Sequence, residues 1–142
     1  MKTFARTVTL TAAQVNALDS TPINVVPAPQ SGYALIPQNL IVAKTSGTAV
    51  GSCANDPIAL VYTGDTTPLI ALDAVGADTN SNAVLATGAT AATYTASNGV
   101  QLSASAEVYA GKGIDISAPG ATIGSFDGTL QVTVLFNIVK IG

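Results

Sequence analysis

The chain has no histidine and no tryptophan, and only one cysteine and one methionine among 142 residues. Without histidine, a Ser-His or Cys-His nucleophile, a His-ligated metal and an imidazole pH switch are all excluded within one chain. One cysteine, Cys53, forbids an intramolecular disulfide and a cysteine-built zinc site, and it reads as a small buried side chain. Charge is scarce as well. Asp, Glu, Lys and Arg make up 9% of the residues, against about 25% in an ordinary soluble domain. With hydrophobics at 48%, most of the surface must come from Ser, Thr, Asn, Gln, Gly and Ala.

The basic residues Lys2, Arg6, Lys44, Lys112 and Lys140 are spread along a chain of net charge −3. That spread predicts no basic patch and argues against a nucleic-acid partner, because counterion release needs several cations on one face. Apolar runs such as 40–43 and 58–61 fall far short of the ~18 residues of a spanning helix. The opening Met1-Lys2-Thr3-Phe4 continues in alternation with Thr and forms no apolar stretch. No secretory leader, no membrane partner and a cytoplasmic site of synthesis are therefore expected. The length suits a single domain over residues 1–142, large enough to bury a core without a disulfide or structural metal.

Period-two alternation dominates what is present. In residues 100–108, Val100, Leu102, Ala104, Ala106 and Val108 alternate with Gln101, Ser103, Ser105 and Glu107, as in an antiparallel strand with one face on a core. In residues 129–141, Leu130, Val132, Val134, Phe136 and Ile138 repeat the pattern. Leu135 and Val139 add apolar groups to the second face there, which predicts a strand that is central or covered on both sides. Residues 3–10 set Phe4, Val8 and Leu10 on one side, and 22–26 and 57–63 are short β-rich runs. Residues 33–44 form a longer strand in which Pro37 implies an edge position or a bulge. Residues 68–75 fit a strand or a helical turn, and 76–95 read as an exposed excursion holding one strand. One short helix is signalled by Thr11-Ala12-Ala13-Gln14, the form of a capping box, with Ala12, Val15 and Leu18 at helical spacing. About two turns cannot stand alone, so this helix must pack on a sheet. Short strands at even spacing with Gly, Pro and Asn turns predict an all-β chain, an antiparallel β-sandwich or barrel with one short N-terminal helix.

Motifs that would carry chemistry are weak. Asp78-Thr79-Asn80-Ser81-Asn82 begins like a calcium loop, but Ala83 and Ala89 stand where Gly and Glu are required. An Asx-rich turn explains the same residues. Gly111-Lys112-Gly113 lacks the upstream glycine and the following Ser or Thr of a phosphate loop, so it reads as a tight turn. The carboxylates Asp56, Asp65, Asp73, Asp78, Glu107, Asp115 and Asp127 could in principle pair as glycosidase acids, and Tyr33, Tyr62, Tyr94 and Tyr109 could offer a sugar platform. Solvated turn carboxylates and rim-packed tyrosines account for both sets. No catalytic residue, cofactor or metal site is expected, and the chain reads as a non-enzyme.

The reading left is assembly. The long strands 100–108 and 129–141 carry one charged residue each, Glu107 and Lys140, and charges are what normally block sheet edges and are depleted in interface cores. The order of elements also resembles the jelly-roll capsid cement, or decoration, proteins of tailed bacteriophages. The likeness is carried by the strand Ala5-Arg6-Thr7-Val8-Thr9-Leu10, the helix Thr11–Leu18, Thr21-Pro22-Ile23-Asn24-Val25-Val26-Pro27-Ala28-Pro29, and Gly32 with the strand to Pro37. Asn98-Gly99-Val100-Gln101-Leu102 and the final long strand complete it, while residues 45–95 match nothing in that group. The resemblance implies a jelly-roll sandwich on the exterior of the virion, made in the bacterial host cytoplasm. It also implies a homo-dimer or homo-trimer that clamps neighbouring major capsid protein subunits without catalytic residues. The N-terminal segment 1–10 is a candidate contact by β-augmentation. A head fibre, a tail subunit, an adhesin tip and a glycan-binding module remain alternatives.

Overall fold

The computed structural model describes residues 2–46, 58–71, 83–86, 110–119 and 126–140. These form eight strands and one helix: β1 (Thr3–Leu10), α1 (Ala12–Asn16), β2 (Ile23–Val26), β3 (Tyr33–Ser46), β4 (Ala59–Tyr62), β5 (Ile70–Ala71), β6 (Ala83–Ala86), β7 (Ile114–Ser117) and β8 (Thr129–Lys140). The strands make two four-stranded sheets, here sheet A in the order β1-β8-β3-β6 and sheet B in the order β2-β7-β4-β5. Every pairing is antiparallel. The all-β expectation holds at that level. The alternating run at 100–108 lies outside the described residues, as do Cys53, the 78–82 loop, 72–75 and most of the 76–95 excursion. The excursion does hold one strand, β6.

Alternation along β8 builds the core. Leu130, Val132, Val134 and Phe136 are buried while Gln131 is exposed and Thr133 and Leu135 lie between. On the same face of sheet A, Leu10, Leu35, Leu40 and Val42 are buried, and they meet Val25, Leu60, Ile114 and Ile116 of sheet B in one cluster. Tyr62 ties the two sheets directly: its hydroxyl donates to the Leu35 carbonyl at 2.6 Å. β8 is central, as expected, lying between β1 and β3. In β3, Pro37 stands at a bulge: the register with β8 shifts between Pro37 and Asn39, and the pairing with β6 on the other side of β3 begins only at Leu40. A residue without an N–H is tolerated where the ladder is already interrupted.

Helix α1 forms where its cap predicts. Thr11 is extended (φ −74°, ψ 164°), its hydroxyl accepts from the Gln14 N–H, and the Gln14 side chain accepts from the Thr11 N–H at 2.9 Å. Val15 and Leu18 are fully buried, each contributing about 1.5–3 kcal/mol. The helix is also bolted to the sheets. Asn16 donates to the Phe126 carbonyl at 2.9 Å and accepts from the Phe126 N–H at 3.0 Å, and Ala118 N–H donates to the Leu18 carbonyl at 3.1 Å.

Core packing and capping should separate cleanly in denaturant titrations. Leu60→Ala is expected to cost about 2–5 kcal/mol, the range for an emptied core leucine. Thr11→Ala should cost about 1 kcal/mol, the value of a lost N-cap. Equal losses in the two variants would contradict this division.

Candidate interaction surface

The outward face of sheet A runs across β1, β8 and β3. β1 contributes Thr3, Ala5, Thr7 and Thr9, which register against Asn137, Leu135, Thr133 and Gln131 of β8. On the other side of β8, Ile36, Asn39, Ile41 and Ala43 of β3 register against the same four residues. The β1 residues are exposed and those of β3 half-buried. None of these twelve side chains is charged. They include one cross-strand hydrogen bond between the hydroxyls of Thr7 and Thr133, 2.8 Å apart. Such a face can be covered by a neighbour without stripping water from an ion, the step that makes buried charge costly.

β1 is also an edge strand: among the described residues it pairs with β8 alone. Among the described residues, one side of its backbone is left without a strand partner, and such an edge is a template for strand addition.

Sheet B is built differently. All four residues of β4 and all four of β7 are buried, so both faces of these strands are covered. Asp115 of β7 is only 7% exposed. Its carboxylate accepts from the Asn24 amide at 2.9 Å and the Thr63 hydroxyl at 2.8 Å. Gly113 sits at the start of this strand because nothing larger fits, since a Cβ there would lie 2.6 Å from the Val26 carbonyl oxygen. Gly111 takes φ +71°, which side-chain-bearing residues rarely adopt. Lys112 between them pairs with Asp65 at 3.1 Å. Each residue of the Gly-Lys-Gly motif thus has a structural task in a turn, as expected. Of the other residues singled out, Tyr62 is used inside the core, and Tyr33 is half-buried beside Pro29, Gln30 and Ile138 in a cleft of about 190 Å³. Asp127 is exposed at the approach to β8. Asp56, Asp73, Asp78, Glu107, Tyr94 and Tyr109 lie outside the described residues. Among the described residues no group of three His, Cys, Asp or Glu side chains could hold a metal, and no helix is long and apolar enough to cross a membrane.

Sequence spacing misses one grouping. Lys2 and Arg6 stand at one end of the chain and Lys140 at the other, yet the β1–β8 register brings all three to the same face of sheet A. Arg6 lies opposite Val134, Thr3 opposite Asn137, and Lys140 four residues beyond Phe136. Only the pairing of distant strands could have revealed this.

No protein-family model matches the chain, and no curated protein matches it. Among solved structures, the chain is similar to one described as "Cyanophage Pam1 capsid asymmetric unit", at 10% identity and a TM-score of 0.44. The match covers 99% of this chain and 84% of that one. A likeness this loose carries no argument about fold or role.

The polar cluster on sheet B yields a graded prediction for unfolding measurements. Gly113→Ala should destabilise by about 1–3 kcal/mol, because backbone must shift to admit the methyl. Asp115→Ala should cost about 1 kcal/mol through the two hydrogen bonds it loses, since Asn24 still donates to the Val26 carbonyl. Lys112→Ala, which breaks a partly exposed ion pair, should cost less than about 1 kcal/mol.

Proposed function

We propose that the chain is a structural subunit of a tailed-bacteriophage virion. In this reading it is a capsid cement or decoration protein that sits on the outside of the head and bridges neighbouring major capsid subunits. The observation that carries the reading is the uncharged outward face of sheet A, flanked by the open edge of β1. A free monomer keeps neighbours apart with charge on such surfaces. This chain has one broad β face ready to be covered.

The proposed fold is a jelly roll, and the strand pairing supports it. β1 pairs with β8, β2 with β7, β3 with β6 and β4 with β5. That nesting is what results when one long antiparallel hairpin of four strands per limb is rolled into two sheets. Clamping would then be multivalent. A homo-dimer or homo-trimer holding several shell subunits makes each further contact at high effective concentration, so individually weak contacts sum to firm attachment.

The test is binding of the purified protein to phage heads that lack it, measured by co-sedimentation. Saturable binding to heads is expected. Ala5→Glu combined with Gln131→Glu places two carboxylates on the outward face of sheet A. This pair should weaken head binding by about tenfold or more, since each ion must be desolvated on docking. Both positions are exposed, so unfolding stability should stay within about 0.5 kcal/mol of the parent. Binding only to tails or fibres, or saturable binding to a single glycan without head binding, would overturn the reading.

A further inference from the structure

The inner face of sheet A outruns the sheet that covers it. β8 has twelve residues and β7 only four. Along β1 the face residues run from buried Leu10 through half-buried Val8 to exposed Arg6, Phe4 and Lys2. Along β8 they run from buried Val134, through Phe136 at 7% exposure, to Ile138 at 39%. Phe4, itself 36% exposed, stacks on Phe136 with ring centroids 5.8 Å apart, and the Lys2 ammonium lies 5.4 Å from the centre of the Phe4 ring. The result is an apolar shelf at the open edge of the sheet, with Lys2 and Arg6 on either side of Phe4 and Lys140 at its far corner. None of the three cations has a carboxylate partner among the described residues, whereas Lys112 does. In a chain of net charge −3, this end stands out as positive.

We propose that this shelf and the β1 edge together bind an extended acidic segment of a partner protein. The segment adds as a strand beside β1 and has the alternating pattern acidic-x-apolar-x-acidic. The register dictates the pattern. A strand added to β1 sends every second side chain to the inner face. Three successive ones stand opposite Lys2, Phe4 and Arg6. An apolar side chain opposite Phe4 extends the Phe4–Phe136 stack, and carboxylates opposite Lys2 and Arg6 supply the missing counter-charges; cross-strand pairs of both kinds are favourable. A second copy of this chain pairing through its own β1 does not fit, because residues 2–10 contain no Asp or Glu and every register leaves the cations unanswered. Nor does a nucleic-acid backbone fit well, since the cations flank an apolar floor and do not line a track. The inference concerns the edge and its charges, and holds whichever assembly the chain belongs to.

The experiment uses the full chain and capped fluorescent heptapeptides. Thr-Glu-Thr-Leu-Thr-Glu-Thr places both glutamates on the same side as the leucine when extended, and Glu-Thr-Thr-Leu-Thr-Thr-Glu places them on the opposite side. The first should bind saturably, with amide shifts confined to β1 and its neighbours in nuclear magnetic resonance spectra, and at least about tenfold more tightly than the second. Lys2→Glu with Arg6→Glu should abolish that preference, and the same variant should gain binding to Thr-Lys-Thr-Leu-Thr-Lys-Thr. This gain of binding excludes misfolding as the cause of the loss. Equal binding of the two acidic peptides would overturn the proposal, as would binding that survives the charge reversal. Stronger binding to oligothymidylate, to phosphatidylserine vesicles or to a second copy of the protein would also overturn it.

Discussion

Strand β8 must satisfy two neighbours and two environments at once. Its twelve residues pair with β1 along one side and β3 along the other. Its alternate side chains face sheet B on one surface and the outside on the other. Because the side-chain period of a strand is two, a slip of one residue would exchange these surfaces. Leu130, Val132 and Val134 would then face out, and Gln131 and Thr133 would face the core. The register of sheet A is therefore held by the burial of one row, and the opposite, less buried row is under weaker demands from folding. Those weaker demands allow the outward face to be composed as an uncharged surface.

The placement of charge follows from the same constraint. On β1 and β8 the basic residues, Arg6 and Lys140, share the inward parity with the core and are exposed. The outward parity carries none. In sheet B the one buried carboxylate of the described strands, on Asp115, is held by the Asn24 amide and the Thr63 hydroxyl. Low charge content is thus a distribution as well as a count: neutral on the broad face, positive on the shelf, and hydrogen-bonded where buried.

Local pattern made much of this legible. The capping box at Thr11 and Gln14, the alternation of β8, and the interruption at Pro37 each correspond to a feature in the structure, because each depends on neighbours within a few residues. The bulge at Pro37 depended on the register of β3 against β8, and that is set by a partner far along the chain. The short β5 could not be told from a helical turn for a similar reason: a run of apolar residues fits either period until a partner strand is known. The cationic shelf was invisible because Lys2 and Lys140 become neighbours only through the β1–β8 ladder. The two glycines of Gly111-Lys112-Gly113 answer backbone demands. Gly113 is set by the closeness of the Val26 carbonyl, and Gly111 by its positive φ.

In the proposed role, the neutral face of sheet A is covered in an assembly on the phage head. A reconstruction of the intact virion by electron cryo-microscopy tests it most directly. The account predicts density for this chain at symmetry-related positions on the outer head surface, with the Thr7–Thr133 face buried against the shell. Density for the chain on the tail alone, or on the head with that face open to solvent, would contradict it.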